Sequence, residues 1–102
     1  MTDRFATLFA ELKKAGDGAL VPFVNLCDPT PEKSLEFLET LTKAGADAFE
    51  LGIPFSDPTA EGPVIQEADL RALEAGTTTD HIFDMVLSIK DKLHVPVVFM
   101  TY

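Results

Sequence analysis

Three acids, Glu50, Asp57 and Glu61, and two internal prolines crowd the stretch ELGIPFSDPTAEGP, residues 50–63. Glu50 stands near the exit of an apolar run, AFELGIP, where a carboxylate is costly to bury unless it is paired. It therefore looks like a site residue before it looks like structure. Glu61 arrives after a loop stiffened by Pro54 and Pro58, just ahead of a helix start. Each feature also has a plainer fit. Glu50 suits a barrel-interior acid paired with a later Lys or Arg, Glu61 a first-turn acid favoured by the helix dipole, and Asp57-Pro58 an ordinary turn. His81 and His94 fall in and just after a later helix, away from strand exits, and suit surface or capping roles.

The elements that must position these residues alternate in period. Phe5, Leu8, Phe9 and Leu12 share one helical face before the break at Ala15-Gly16-Asp17-Gly18. The continuous apolar run at 19–25, ALVPFVN, predicts a strand covered on both faces, as in a parallel sheet. A turn follows at Asp28-Pro29, with Thr30 as N-cap and Pro31 opening a helix whose apolar residues are Leu35, Phe37, Leu38, Leu41 and Ala44. Gly45 is expected to end it, and DAFELGI, 47–53, to form the next strand. Pro63 opens a helix over 63–75 that Gly76 closes. Thr79 or Asp80 is expected to cap a further helix carrying Ile82, Phe83, Val86, Ile89 and Leu93, and VPVVFMTY, 95–102, to be the third strand.

The order helix, β, α, β, α, α, β is a βαβαβ unit with an extra short helix, its strands parallel and its crossovers right-handed. Doubly wound folds and (β/α)8 barrels both contain such a unit. A dinucleotide-binding fold needs a Gly-rich turn after its first strand, whereas NLCDPTP contains no glycine. A barrel gathers its functional residues at the strand exits, where Asn25, Asp28, Glu50, Asp57 and Glu61 all fall.

Composition narrows the function classes. The 102 residues are 46% apolar and 25% charged, an ordinary globular mixture of about one domain. Eight basic against 17 acidic residues, a net charge of -9, argue against a nucleic-acid partner, and Glu32, Glu36 and Glu39 read as a solvated face. The single Cys27 forms no internal disulfide and no Cys/His cluster suggests a metal, so a reducing compartment such as the cytoplasm is expected. No apolar run approaches the roughly 18 residues of a membrane span, and MTDRFATLF lacks the apolar stretch of a secretory signal.

The run LGIPFSDPTAEGPVIQ, with VPFVNLCDP before it, AGADAFE leading into it and VFMTY at the end, resembles the tryptophan synthase alpha subunit family. The resemblance runs from about Phe5 to Tyr102, and its ELGIPFSDP core is specific. It implies a (β/α)8 TIM barrel that cleaves indole-3-glycerol phosphate by a retro-aldol reaction to indole and glyceraldehyde 3-phosphate. Glu50 matches the family's catalytic acid/base. Glu61 matches a second carboxylate bonded to the indole N–H, although the commoner family residue there is Asp. Phe23, Met100 and Tyr102 match positions lining the indole pocket, and core packing is their plainer fit. Pro54, Asp57 and Pro58 match a loop that faces the beta subunit in an alpha2-beta2 complex. No cofactor is expected in this chain, since pyridoxal phosphate belongs to the beta subunit.

Residues 1–102 are then expected to be the N-terminal portion of a single barrel domain, holding about the first three strands and their helices. Barrel phosphate sites lie in the loops after the seventh and eighth strands, so the 102-residue chain alone is expected to bind no phosphate and to be inactive. Exposed strand edges are expected to favour self-association or pairing with a complementary fragment. The reading from another class is an interaction module that persists without catalysis.

Overall fold

A computed structural model describes residues 3–102. The first helix, α1 (Arg4–Ala15), starts where the Asp3 carboxylate accepts the Ala6 N–H at 3.0 Å and stops at Gly16, whose φ of 73° favours glycine. It contributes no buried residue: Phe5, Leu8 and Leu12 are half-buried and Phe9 is exposed. With Asp47, Val95 and Pro96 it lines a cleft of about 240 Å³, which places it near the strand-entry end.

The remaining elements are β1 (Phe23–Asn25), α2 (Pro31–Lys43), β2 (Phe49–Gly52), α3 (Pro63–Glu74), α4 (Thr79–Leu93) and β3 (Val97–Met100). The strands are parallel in the order β1-β2-β3, with Phe23 opposite Glu50 and Glu50 opposite Val98. All three are shorter than the apolar runs predict. Pro22 and Pro96 have no N–H to donate, which interrupts regular pairing at the starts of β1 and β3; their carbonyls accept from Glu50 and Phe49, each at 3.0 Å, and upstream of Pro22 a single bond from the Asp47 N–H to the Leu20 carbonyl remains, at 2.9 Å.

Alternation along the strands decides where the core sits. Val24, Phe49 and Leu51 join Leu38 of α2, Ala72 of α3 and Ile82, Met85, Ile89 and Leu93 of α4 in one buried cluster. The opposite sheet face is open: Phe23, Val98 and Met100 are 36%, 43% and 47% exposed. Within residues 3–102 the helices cover one face of the sheet, where they share one core.

Two helices also depart in detail from the sequence pattern. Phe37 and Ala44 do not join the core face of α2, since residues two apart on a helix point about 200° apart and Leu35 already faces inward. The cap of α4 is Thr78, whose hydroxyl accepts the His81 N–H at 3.3 Å, rather than Thr79 or Asp80. His94 ends that helix in the left-handed region at φ 57°. Among the described residues no helix is long and apolar enough to cross a membrane.

Candidate active site

The short strand β2 turns Phe49 and Leu51 into the core and leaves Glu50 on the open face. Glu50 is half-buried and lies in one register row with Phe23 and Val98. No Lys or Arg pairs with it among the described residues. One step along, Gly52 stands between Asn25 and Met100 in register. A Cβ at Gly52 would meet Asn25 Oδ1 and Phe23 Cζ, each at 2.5 Å. Glycine is what lets both side chains lean across β2 beside Glu50.

Glu61 sits at the far end of loop 53–62, half-buried, immediately before the Gly62 N-cap of α3. It lies outside the helix, whose first turn holds no acid, so the first-turn reading does not describe it. Its backbone is fixed from both sides. The N–H donates to the Pro58 carbonyl at 3.1 Å, and the carbonyl accepts from Gln66 Nε2 at 2.8 Å. The same Gln66 amide reaches the Pro58 carbonyl at 3.4 Å. No hydrogen bond joins the carboxylates of Glu50 and Glu61 among the described residues.

Tyr102 brings the end of the third strand to this loop. Its ring stacks on Phe55 with centroids 5.3 Å apart and planes at 14°, and its hydroxyl accepts the Ala60 N–H at 3.1 Å. Tyr102 therefore meets the loop next to Glu61, while Phe23 and Met100 stand on the sheet beside Glu50 and Gly52. Of the loop residues matched to a partner surface, Pro54 is buried, Pro58 half-buried and Asp57 exposed. Phe55, Asp57, Pro58, Gln66 and Leu70 line an open cleft of about 560 Å³ that neither Glu50 nor Glu61 borders.

Three polar links were not visible in the sequence. Asn25 Nδ2 donates to Asp69 Oδ1 at 2.8 Å, and both residues are buried. Arg71 grips Asp28 through Nε at 2.7 Å and Nη2 at 3.0 Å, a two-pronged pair that raises the guanidinium pKa further above its ordinary value. Gln66, already described, is the third. The one available signal was Asp69 itself, a carboxylate between Ala68 and Ala72 on the small-residue face of a helix.

Consecutive parallel strands with their crossover helices on one side, and acids near the strand exits, define part of a (β/α)8 barrel. Solved structures agree on that fold. The tryptophan synthase subunit alpha of Legionella pneumophila str. Paris matches with TM-score 0.92 and 41% identity over 100% of this chain and 39% of its own. A tryptophan synthase complex from Pyrococcus furiosus matches with TM-score 0.78 and 43% identity, over 84% of this chain and 35% of its own.

The chain belongs to the tryptophan synthase alpha chain family, whose profile matches residues 9–102. The tryptophan synthase alpha chain of Francisella tularensis subsp. tularensis is 52% identical over 103 residues, covering 100% of this chain and 38% of the relative. That of Vibrio vulnificus is 56% identical over 90 residues, 88% of this chain and 34% of the relative. The chain thus spans under two fifths of the length of these curated relatives.

Proposed function

We propose that this chain supplies the acid/base centre and part of the indole pocket of a tryptophan-biosynthetic lyase, and that it forms the N-terminal portion of one barrel domain. The reaction is the cleavage of indole-3-glycerol phosphate to indole and glyceraldehyde 3-phosphate. A proton is added at indole C3 and the hydroxyl on the attached side-chain carbon loses one. The bond between that carbon and C3 breaks, its electron pair returns to the ring, and the carbon leaves as an aldehyde. One carboxyl group between the two positions gives the first proton and takes the second, and Glu50 has that role. Positive charge builds at the ring nitrogen on protonation, and the Glu61 carboxylate accepts the N–H there. Phe23, Met100 and Tyr102 give the indole an apolar wall.

One observation carries this reading: Glu50 lies in a row between Phe23 and Val98, a carboxyl group set in an apolar sheet face with no cation paired to it among the described residues. The exposed Asp57 and the stiff turn at Pro58 fit a surface for a beta subunit, which would hold the pyridoxal phosphate, and this chain needs no cofactor of its own. The Glu50→Gln variant of the full-length gene product tests the assignment. Cleavage is expected to fall by about 10²-fold or more, with substrate binding retained. Turnover within a few-fold of the parent refutes it. The rival reading, an interaction module, rests on the open apolar face at Phe23, Val98 and Met100, and gains if the parent protein shows no cleavage.

A further inference from the structure

Asp69 is a buried carboxylate with no part in the reaction above. It is 4% exposed, on the face of α3 that otherwise buries Ala68 and Ala72. An apolar residue of similar size would avoid the cost of desolvating a carboxyl group, so its single buried hydrogen bond to Asn25 calls for a reason beyond packing.

We propose that Asn25, Asp69 and Gln66 are positioning residues that set Glu61 relative to Glu50. The route is continuous. Asn25 closes β1, in register with Gly52, and the neighbouring Leu26 N–H donates to the Gly52 carbonyl at 2.9 Å, so Asn25 is fixed to the strand that carries Glu50. Its amide reaches Asp69 on α3 at 2.8 Å. Three residues back along that helix, about one turn, Gln66 holds the Glu61 carbonyl at 2.8 Å and the Pro58 carbonyl at 3.4 Å. Two residues beyond Asp69, Arg71 pins the same helix to Asp28. The sheet is thereby tied to the backbone of Glu61 through a rigid helix, bypassing the loop that links the two acids covalently.

The start of α3 needs such a tie. Gly62 is its N-cap and offers no side-chain bond, whereas Asp3, Thr30 and Thr78 all cap their helices through side-chain oxygens. The Asn25 orientation is fixed by chemistry, because only Nδ2 can donate to a carboxylate oxygen.

The inference rests on the acid/base reading for its effect on rate, but not for its effect on the loop, so the two are measured separately. In the full-length gene product, Asn25→Ala and Gln66→Ala are compared with the reciprocal exchange of Asn25→Asp together with Asp69→Asn, which reverses donor and acceptor. Amide hydrogen exchange at Ala60 and Glu61 is expected to quicken by about tenfold or more in the single changes and to return toward the parent in the exchanged pair. For cleavage, kcat should drop by about 10-fold to 100-fold with KM within about threefold, since displacements near 1 Å at a reacting group cost rates of this order. In a Glu61→Ala background the same changes should cost no further rate, a pattern that general destabilisation does not produce. Unchanged exchange in Gln66→Ala, or an undiminished rate loss in the Glu61→Ala background, overturns the proposal. Gln66 is exposed, so its variant keeps the test decisive if Asn25→Ala does not fold. A parent without cleavage activity defeats the acid/base reading alone, and loop exchange still judges the positioning role.

Discussion

Cys27 shows at the scale of one residue how burial and backbone geometry oppose each other. Its φ of 68° is in the left-handed region that favours glycine, yet its side chain is 1% exposed in the core and its N–H donates to the buried Ser34 hydroxyl at 3.0 Å. Replacing it with Ala loses the burial of the sulfur and keeps the unfavourable backbone. Replacing it with Gly loses slightly more burial and recovers about 1 kcal/mol of backbone energy. Cys27→Gly is therefore expected to be at least as stable as Cys27→Ala in chemical denaturation, the reverse of the order at a helical or extended position. Burial raises the thiol pKa, and the charge of Glu32 adds to the rise. The folded state thus keeps its proton longer than the unfolded chain. The associated stability is complete below the ordinary thiol value of about 8.5 and is lost as pH rises through the folded value. Urea midpoints at pH 7.5 and 9.5 should fall more for the parent than for Cys27→Ala; equal falls would refute the sign.

At the scale of elements, α4 separates two caps one residue apart. The Thr78 hydroxyl accepts the His81 N–H, so Thr78→Ala should cost about 1 kcal/mol while Thr79→Ala, at the first helical position, costs much less. Thermal melts of the two variants decide it, and an equal or reversed order would restore the sequence-based expectation. The same case explains what was readable. Element order and the inward residues Leu35, Leu38 and Leu41 of α2 and Ile82, Val86, Ile89 and Leu93 of α4 follow from periodicity, which is local, whereas periodicity wrongly places Phe37, Ala44 and the 46% exposed Phe83 on the core face. Thr78, Thr79 and Asp80 are all competent caps, and only the neighbouring chain chooses among them. Strand lengths failed for a related reason, since the apolar runs at 19–25 and 95–102 contain Pro22 and Pro96, which break the ladder without breaking the apolar pattern. The Asn25–Asp69 link spans 44 positions, and no spacing rule connects a strand exit to the second turn of a later helix. The place of Glu50 on the sheet was legible, because a carboxylate in an apolar strand stands out from its neighbours and the period-two alternation sets it on the face opposite Phe49 and Leu51.

The whole molecule carries a charge of -9, and only Lys33–Glu36 and Arg71–Asp28 are ion pairs among the described residues. Most of its acids therefore face one another through solvent across a body with a radius of gyration of 14.4 Å. In about 0.01 M salt the screening length is about 30 Å, so charges across the whole molecule interact; near 0.15 M it is about 8 Å and distant pairs are screened. Folding draws these charges together, and self-repulsion destabilises the compact state. Salt also weakens the two ion pairs, but exposed pairs contribute only about 0–1 kcal/mol each, and many contribute nothing measurable. Relief of repulsion should win: raising NaCl from about 0.01 M to about 0.15 M is expected to add about 0.5 kcal/mol, or about 2–4 °C in Tm for a domain of this length. Arg71→Gln removes the two-pronged pair and makes the net charge more negative, so its salt-induced gain should exceed that of the parent. A Tm that falls with salt in the parent, and does so less in Arg71→Gln, would show instead that the link between α3 and Asp28 outweighs the repulsion of the acidic surface.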